Sequence, residues 1–266
     1  RSRAEPALAV AARHGSKARS AASTALRVSS APNRGIDHGH GLRGTGRKPP
    51  AATLEQQTAL AINTDMGVTS PLMSSLECAR GSQGTACAQV NSGSAKLTAA
   101  DIHQTTLYLS LLGVPPKRDF DNPQEQDAQA RARQLRVKRG AQMFEAARCG
   151  TCHAPELRTG HHRFVELRYQ TIRPYTDLLL HDMGPELADT YVEGRATARE
   201  WRTAPLWGLG LAAAINPNVR YLQDGRAATL EAAVLWHGGQ GTAARQRFEA
   251  MSAADRQALM DFLRSL

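Results

Sequence analysis

Five residues constrain this chain more than any others: Cys149-Gly150-Thr151-Cys152-His153. Thiols at i and i+3 on one turn of helix-like backbone point the same way, and the next residue brings an imidazole beneath them. This C-x-x-C-H spacing is the attachment signature of haem c: each sulfur adds to a vinyl group and the histidine binds the iron. Two other chemistries also use close cysteines. A structural zinc site wants four protein ligands in two pairs, but the other two cysteines, Cys78 and Cys87, lack pair spacing. A redox dithiol would follow a strand in a βαβ unit, and no such pattern is present. Haem c attachment implies an oxidising, extracytoplasmic (periplasmic) compartment, where Cys78 and Cys87 read either as a loop disulfide or as two separate thiols.

The net charge of +9 over 266 residues invites a nucleic-acid reading, and its distribution removes it. Residues 1–50 hold ten Lys or Arg against two acids, so this leader carries +8 and the remaining residues carry +1. An electrostatic footprint for nucleic acid lies on a folded face beside reading elements. The leader has no Phe, Trp or Tyr and no hydrophobic period, so it reads as disordered. It also lacks the apolar core of a secretory signal peptide, and the chain begins with Arg rather than Met. No apolar run approaches the roughly 20 residues needed to cross a bilayer, which excludes a transmembrane span.

From residue 51 the pattern becomes helical. Thr53, with Gln56 three positions on, opens a helix whose apolar stripe is Leu54, Ala61 and Ile62. Residues 66–96 read as a long loop. Thr98 and Asp101 form a capping box for a second helix, with Ile102, Leu109 and Leu112 inward and Gly113 and Pro115-Pro116 at its end. A long helix is expected over about 124–147, with Leu135, Val137, Met143 and Phe144 apolar, and residues 155–228 are mostly loop with short extended pieces. Helical pattern returns over 229–237 and about 243–250. The last helix starts at Ser252, with Asp255 at the box position and Leu259, Phe262, Leu263 and Leu266 as a core-facing stripe. The fold class is mainly α with long loops, in three parts: a leader (1–50), a partial domain (51–121) and a cytochrome c-like haem domain (122–266).

Longer stretches carry a family resemblance. They are Thr53-Leu54-Glu55-Gln56-Gln57, Asp65-Met66-Gly67-Val68-Thr69-Ser70, the haem motif, and Tyr175-Thr176-Asp177-Leu178-Leu179-Leu180-His181-Asp182-Met183-Gly184. They continue with Glu200-Trp201-Arg202-Thr203-Ala204-Pro205-Leu206-Trp207-Gly208-Leu209-Gly210, Asp224-Gly225-Arg226-Ala227, and Thr229-Leu230-Glu231-Ala232-Ala233-Val234-Leu235-Trp236-His237-Gly238-Gly239. Over 53–266 the chain resembles the di-haem oxidoreductases called peroxidases or thiol oxidoreductases. These are distant relatives of bacterial di-haem cytochrome c peroxidases and of the MauG proteins. The resemblance implies two haem domains in full-length relatives, of which one C-x-x-C-H lies here. This chain then corresponds to the C-terminal haem domain and the end of the N-terminal one, without the peroxidatic haem.

The same resemblance implies a peroxidase-like oxidoreductase working by electron transfer. Its electron donor would be a small redox protein or a quinol-linked one. The alternative is a non-catalytic mono-haem carrier or a truncated remnant without turnover. For the sixth iron position the resemblance favours His237, because the Thr-Leu-Glu helix of the relatives ends at the second axial ligand. Met183 is the alternative, followed by His181, the more distant Met66 and an open site. Arg202 and Arg226 are candidates to hold haem propionates as charge-assisted forks, or else brace loops. Trp201, Trp207 and Trp236 either line an electron path or pack in the core. Where the relatives have a histidine before the Asp-Gly pair, this chain has Gln223.

Overall fold

The computed structural model describes residues 51, 53–76, 96–118, 124, 126–190 and 196–266. The leader and the Cys78–Cys87 pair lie outside the described residues. The molecule is mainly α. Helix α1 spans Leu54–Met66, α2 Ala99–Ser110 and α3 Ala128–Ala146. After a long loop region come the short α4 (Ala212–Ile215) and α5 (Leu230–Leu235), then α6 (Thr242–Glu249) and the terminal α7 (Ala253–Ser265). Two antiparallel ribbons interrupt the loops. One pairs β1 (Leu157–Arg158) with β2 (Thr171–Ile172); the other pairs β3 (Leu180–Asp182) with β4 (Glu200–Arg202), His181 opposite Trp201. No described helix is long and apolar enough to cross a membrane.

The helix starts follow local chemistry. The Thr53 hydroxyl accepts from the Gln56 amide and the Thr229 hydroxyl from the Ala232 amide. Thr98 and Asp101 exchange both bonds of a capping box, and Ser252 accepts from the Asp255 amide at 3.1 Å. The expected helix over about 124–147 starts later, because Asp127 accepts from the Ala130 amide at 2.7 Å and sets the cap there. Helix α2 ends at Ser110, three residues before Gly113.

Packing corrects three of the expected faces. In α1 the buried residues are Thr58, Ala59 and Asn63, not the apolar stripe Leu54, Ala61 and Ile62. This is possible because Thr58 donates to the Leu54 carbonyl and Asn63 to the Ser75 carbonyl, so their polar atoms are satisfied inside. In α2, Ile102 is buried but Leu112 is exposed. In α3, Val137 and Phe144 are buried while Leu135 is 68% exposed.

The core forms where α3 crosses α7. Val137 and Phe144 meet Leu259, Phe262 and Leu263, and Leu266 closes the end. Each such side chain contributes about 1.5–3 kcal/mol on burial. The crossing is close because Gly140 has no side chain: a Cβ there would overlap the Ala258 carbonyl and stand 2.6 Å from the Phe262 Cβ. Phe144, Tyr175 and Phe262 form an aromatic triad with centroids 5.4–5.9 Å apart. The last carbonyls of α7 are satisfied from outside it. Arg118 donates its amide to Ser265 and its guanidinium to Arg264, and the Gly208 amide reaches Leu266, all at 2.8 Å.

Lys117 enters this core from the connection after α2. Its Nζ donates to the Tyr175 hydroxyl at 3.1 Å and lies 4.6 Å from the Phe262 ring centre. Burial, helped by Arg173, pushes its ammonium down from 10.5 to about 8.

Two outcomes follow from this packing. Gly140→Ala should destabilise the protein by about 1–3 kcal/mol in denaturant unfolding, since the α3–α7 backbones must separate; an unchanged midpoint would refute the tight crossing. Between pH 8 and 10 the folded chain has released the Lys117 proton that the unfolded chain still holds. Stability therefore rises with pH across that window. The melting temperature of the wild type minus that of Lys117→Met should increase from pH 8 to pH 10, and a flat difference would count against a buried ammonium.

Candidate functional site

Helix α3 ends at Ala146, and Arg148 then takes a φ of +63°, in the left-handed region. That costs a bulky residue about 1–2 kcal/mol, and it redirects the chain from the helix into a 3-10 turn, Cys149–Thr151. The Cys149 carbonyl accepts from the amides of Cys152 and His153, at 3.3 and 2.9 Å, which coils the five-residue motif. Cys149, Cys152 and His153 all line one cavity of about 620 Å³. Its size falls inside the roughly 300–1,000 Å³ of pockets that enclose cofactor-sized molecules. Phe144, Leu187, Leu206, Leu209, Leu230 and Leu259 supply apolar wall, and Arg148, Arg202, Arg245 and Arg247 supply cations.

His237 faces the same cavity. It follows the short α5, and the glycines after it hold it in place. A Cβ at Gly238 would stand 2.7 Å from the Met183 carbonyl, and one at Gly184 2.9 Å from the Gly239 amide. These glycines let the turn after His237 lie directly on the backbone that leaves β3. The His153 and His237 ring centres are 6.4 Å apart. Two imidazoles sharing one metal ion from opposite sides have centres about 6 Å apart, taking metal–nitrogen bonds of about 2.0 Å.

The two rings are prepared alike. His153 Nδ1–H donates to the Tyr175 carbonyl at 3.1 Å, and His237 Nδ1–H donates to the Ala233 carbonyl at 2.8 Å. With Nδ1 carrying the proton, Nε2 holds the lone pair in each neutral ring. Burial, together with the neighbouring His237, pushes His153 down to about 4. Burial also lowers His237, so both rings are neutral at physiological pH. Tyr175, whose carbonyl orients His153, itself has a φ of +54° and is held by the aromatic triad and Lys117.

His181 is different. Its Nε2 lies 2.8 Å from Asp177 Oδ2 and its Nδ1 2.8 Å from Gln240 Oε1, with Cys152 Sγ at 3.7 Å from Nδ1. The Asp177 hydrogen bond, with Cys152 adding to it, pushes His181 up to about 10. Burial pushes the Asp177 carboxyl up, but His181 and the Leu179 amide bring it below its ordinary value. His181 is therefore an imidazolium engaged at both nitrogens, with no lone pair to offer a metal.

Of the other expected residues, Met183 and Arg202 line the cavity, and burial lowers the Arg202 guanidinium. Arg226 is not among the lining residues. It pairs with Asp224 at 2.5 Å, donates to the Glu186 carbonyl and lies 5.0 Å from the Trp236 ring centre. Met66 ends α1 and is 68% exposed, away from the cavity. Trp201 lines the wall and donates its indole N–H to the Leu187 carbonyl. Trp236 is 37% exposed, under Arg226. The sequence reading assigned no role to Tyr175, Asp177, Gln240 or Lys117. The i, i+4 spacing of Asp177 and His181 was the one local signal available for any of them.

The donor set separates the three chemistries of the motif. A reactive dithiol needs a depressed thiol pKa, but burial pushes Cys149 up to about 11. Among the described residues the one converging group of His, Cys, Asp or Glu atoms is Cys152, Asp177 and His181, which omits Cys149 and His153. A paired-cysteine zinc site is not assembled there. An apolar cavity with two thiols on its wall and two neutral imidazoles, each presenting Nε2, fits haem.

No curated protein and no solved structure matches this chain. Residues 33–266 match the family described as "di-haem oxidoreductase, putative peroxidase", a stretch that takes in every described residue. The chain belongs to the di-haem oxidoreductase family.

Proposed function

We propose that this chain is the electron-transferring c-type haem part of a peroxidase-like oxidoreductase. Cys149 and Cys152 would hold the haem by thioether bonds, and His153 and His237 would bind its iron, with Met183 as the alternative to His237. One observation carries the reading: two neutral imidazoles, 6.4 Å apart in one cavity, each have Nδ1 fixed on a backbone carbonyl. The haem, when bound, supplies a one-electron iron couple. The chain's own residues do the rest. The Tyr175 and Ala233 carbonyls orient the two rings and raise their basicity. The apolar wall excludes water. Arg202, on the cavity wall, would reach a haem carboxylate, and Arg226, held by Asp224 and Glu186, braces the loop before α5.

Ligation by both imidazoles would leave the iron no free position, which suits electron transfer rather than peroxide binding. Peroxide chemistry then belongs to the second haem of full-length relatives. Electrons arrive from a small redox protein or a quinol-linked donor in an extracytoplasmic compartment, where haem c attachment takes place.

Protein matured with the haem-attachment machinery should give one covalent haem per chain in a pyridine haemochrome assay. Cys149→Ser with Cys152→Ser should give none, and colourless wild-type protein would end the reading. His237→Met should raise the reduction potential, because Met/His ligation raises it relative to two histidines. An unchanged spectrum and potential would remove His237 from the iron.

A further inference from the structure

His181 lies between the two loops that carry the axial histidines, and its contacts reach both. On the proximal side, its partner Asp177 donates its amide to the Cys152 carbonyl at 2.8 Å, and Cys152 Sγ is 3.7 Å from the His181 ring. On the distal side, His181 Nδ1 is 2.8 Å from Oε1 of Gln240, three residues past His237. One ring thus has a side chain from each loop within hydrogen-bond distance, one at each nitrogen. The strand under it is fixed by the β3–β4 pairing, with His181 opposite Trp201. The His181 and Asp177 side chains are mostly buried, at 11% and 15% exposure, so solvent screens their contact only weakly, while Gln240 is exposed.

We infer that Asp177, His181 and Gln240 form a strut that fastens the haem-attachment loop to the loop after His237. In this arrangement His181 is a positioning residue that keeps the two axial imidazoles at a fixed separation. The strut rests on the proposed His153/His237 ligation and adds something to it: a side-chain reason why the distal turn stays closed over the iron. Gly184, Gly238 and Gly239 pack that turn on the backbone that leaves β3. Asp177, His181 and Gln240 link it to the cysteine loop with charge-assisted hydrogen bonds, which are about twice as strong as neutral ones.

The test is carbon monoxide binding to the reduced, haem-loaded protein, with the covalent haem content of every variant measured first. Gln240→Leu removes the distal acceptor at an exposed position and leaves the core intact. It should speed carbon monoxide binding by at least about tenfold, the loss of one charge-assisted hydrogen bond. Gln240→Glu keeps an acceptor for the imidazolium and should bind at the wild-type rate. His181→Ala should accelerate binding at least as much as Gln240→Leu, and combining the two should add nothing further. A strut with a purely structural role would lower the melting temperature without changing the ligand-binding rate. Wild-type rates in haem-loaded Gln240→Leu and His181→Ala would overturn the strut while leaving the haem reading intact. Haem-free wild-type protein would instead overturn the reading on which it rests.

Discussion

The close approach of α3 to α7 at Gly140 governs the rest of the molecule. With no side chain at that crossing, Phe144 and Phe262 come into ring contact and enclose Tyr175. Tyr175 in turn presents its carbonyl to His153. The same crossing fixes the end of α3, from which Arg148 turns the cysteines into the cavity. A widening of this contact would therefore be felt at the proximal ring through two routes, the aromatic triad and the helix end.

Three histidines in one cavity show how surroundings decide chemistry. His153 and His237 sit among apolar groups with a backbone carbonyl at Nδ1, and burial keeps them neutral. His181 sits beside a carboxylate and is held charged. Neutral imidazole is a metal ligand and imidazolium is a hydrogen-bond donor. One residue type thus supplies two neutral rings suited to ligation and one bracing ring, and the difference is made by their neighbours.

Much of this was legible beforehand. The motif located the cavity wall, and Leu259, Phe262, Leu263 and Leu266 are all buried on α7, joined there by Ala258, Met260 and Ser265. The caps at Thr98 and Ser252 were legible because capping is a local interaction. The inward face of α1 was not, since hydrophobic periodicity cannot anticipate a contact made by Thr58, Ala59 and Asn63. The three-residue strands β3 and β4 are too short to carry a period. The links from His181 to Gln240 and from Lys117 to Tyr175 each span about sixty residues and leave no sequence signal. Sequence leaves Arg226 open between a propionate partner and a loop brace for a related reason. A guanidinium in a Gly-rich loop looks the same in sequence whether it meets a cofactor or its own Asp224.

The six residues of α5 are too few to be stable as an isolated helix. The turn that carries His237 therefore draws its order from what it rests on, whereas His153 follows a 19-residue helix through one 3-10 turn. The two sides of the cavity thus differ in local stability, and the distal side is the one that can come apart first without global unfolding. On the proposed ligation by both rings, warming would therefore loosen the His237 side before helical content falls, a change that visible absorption would report.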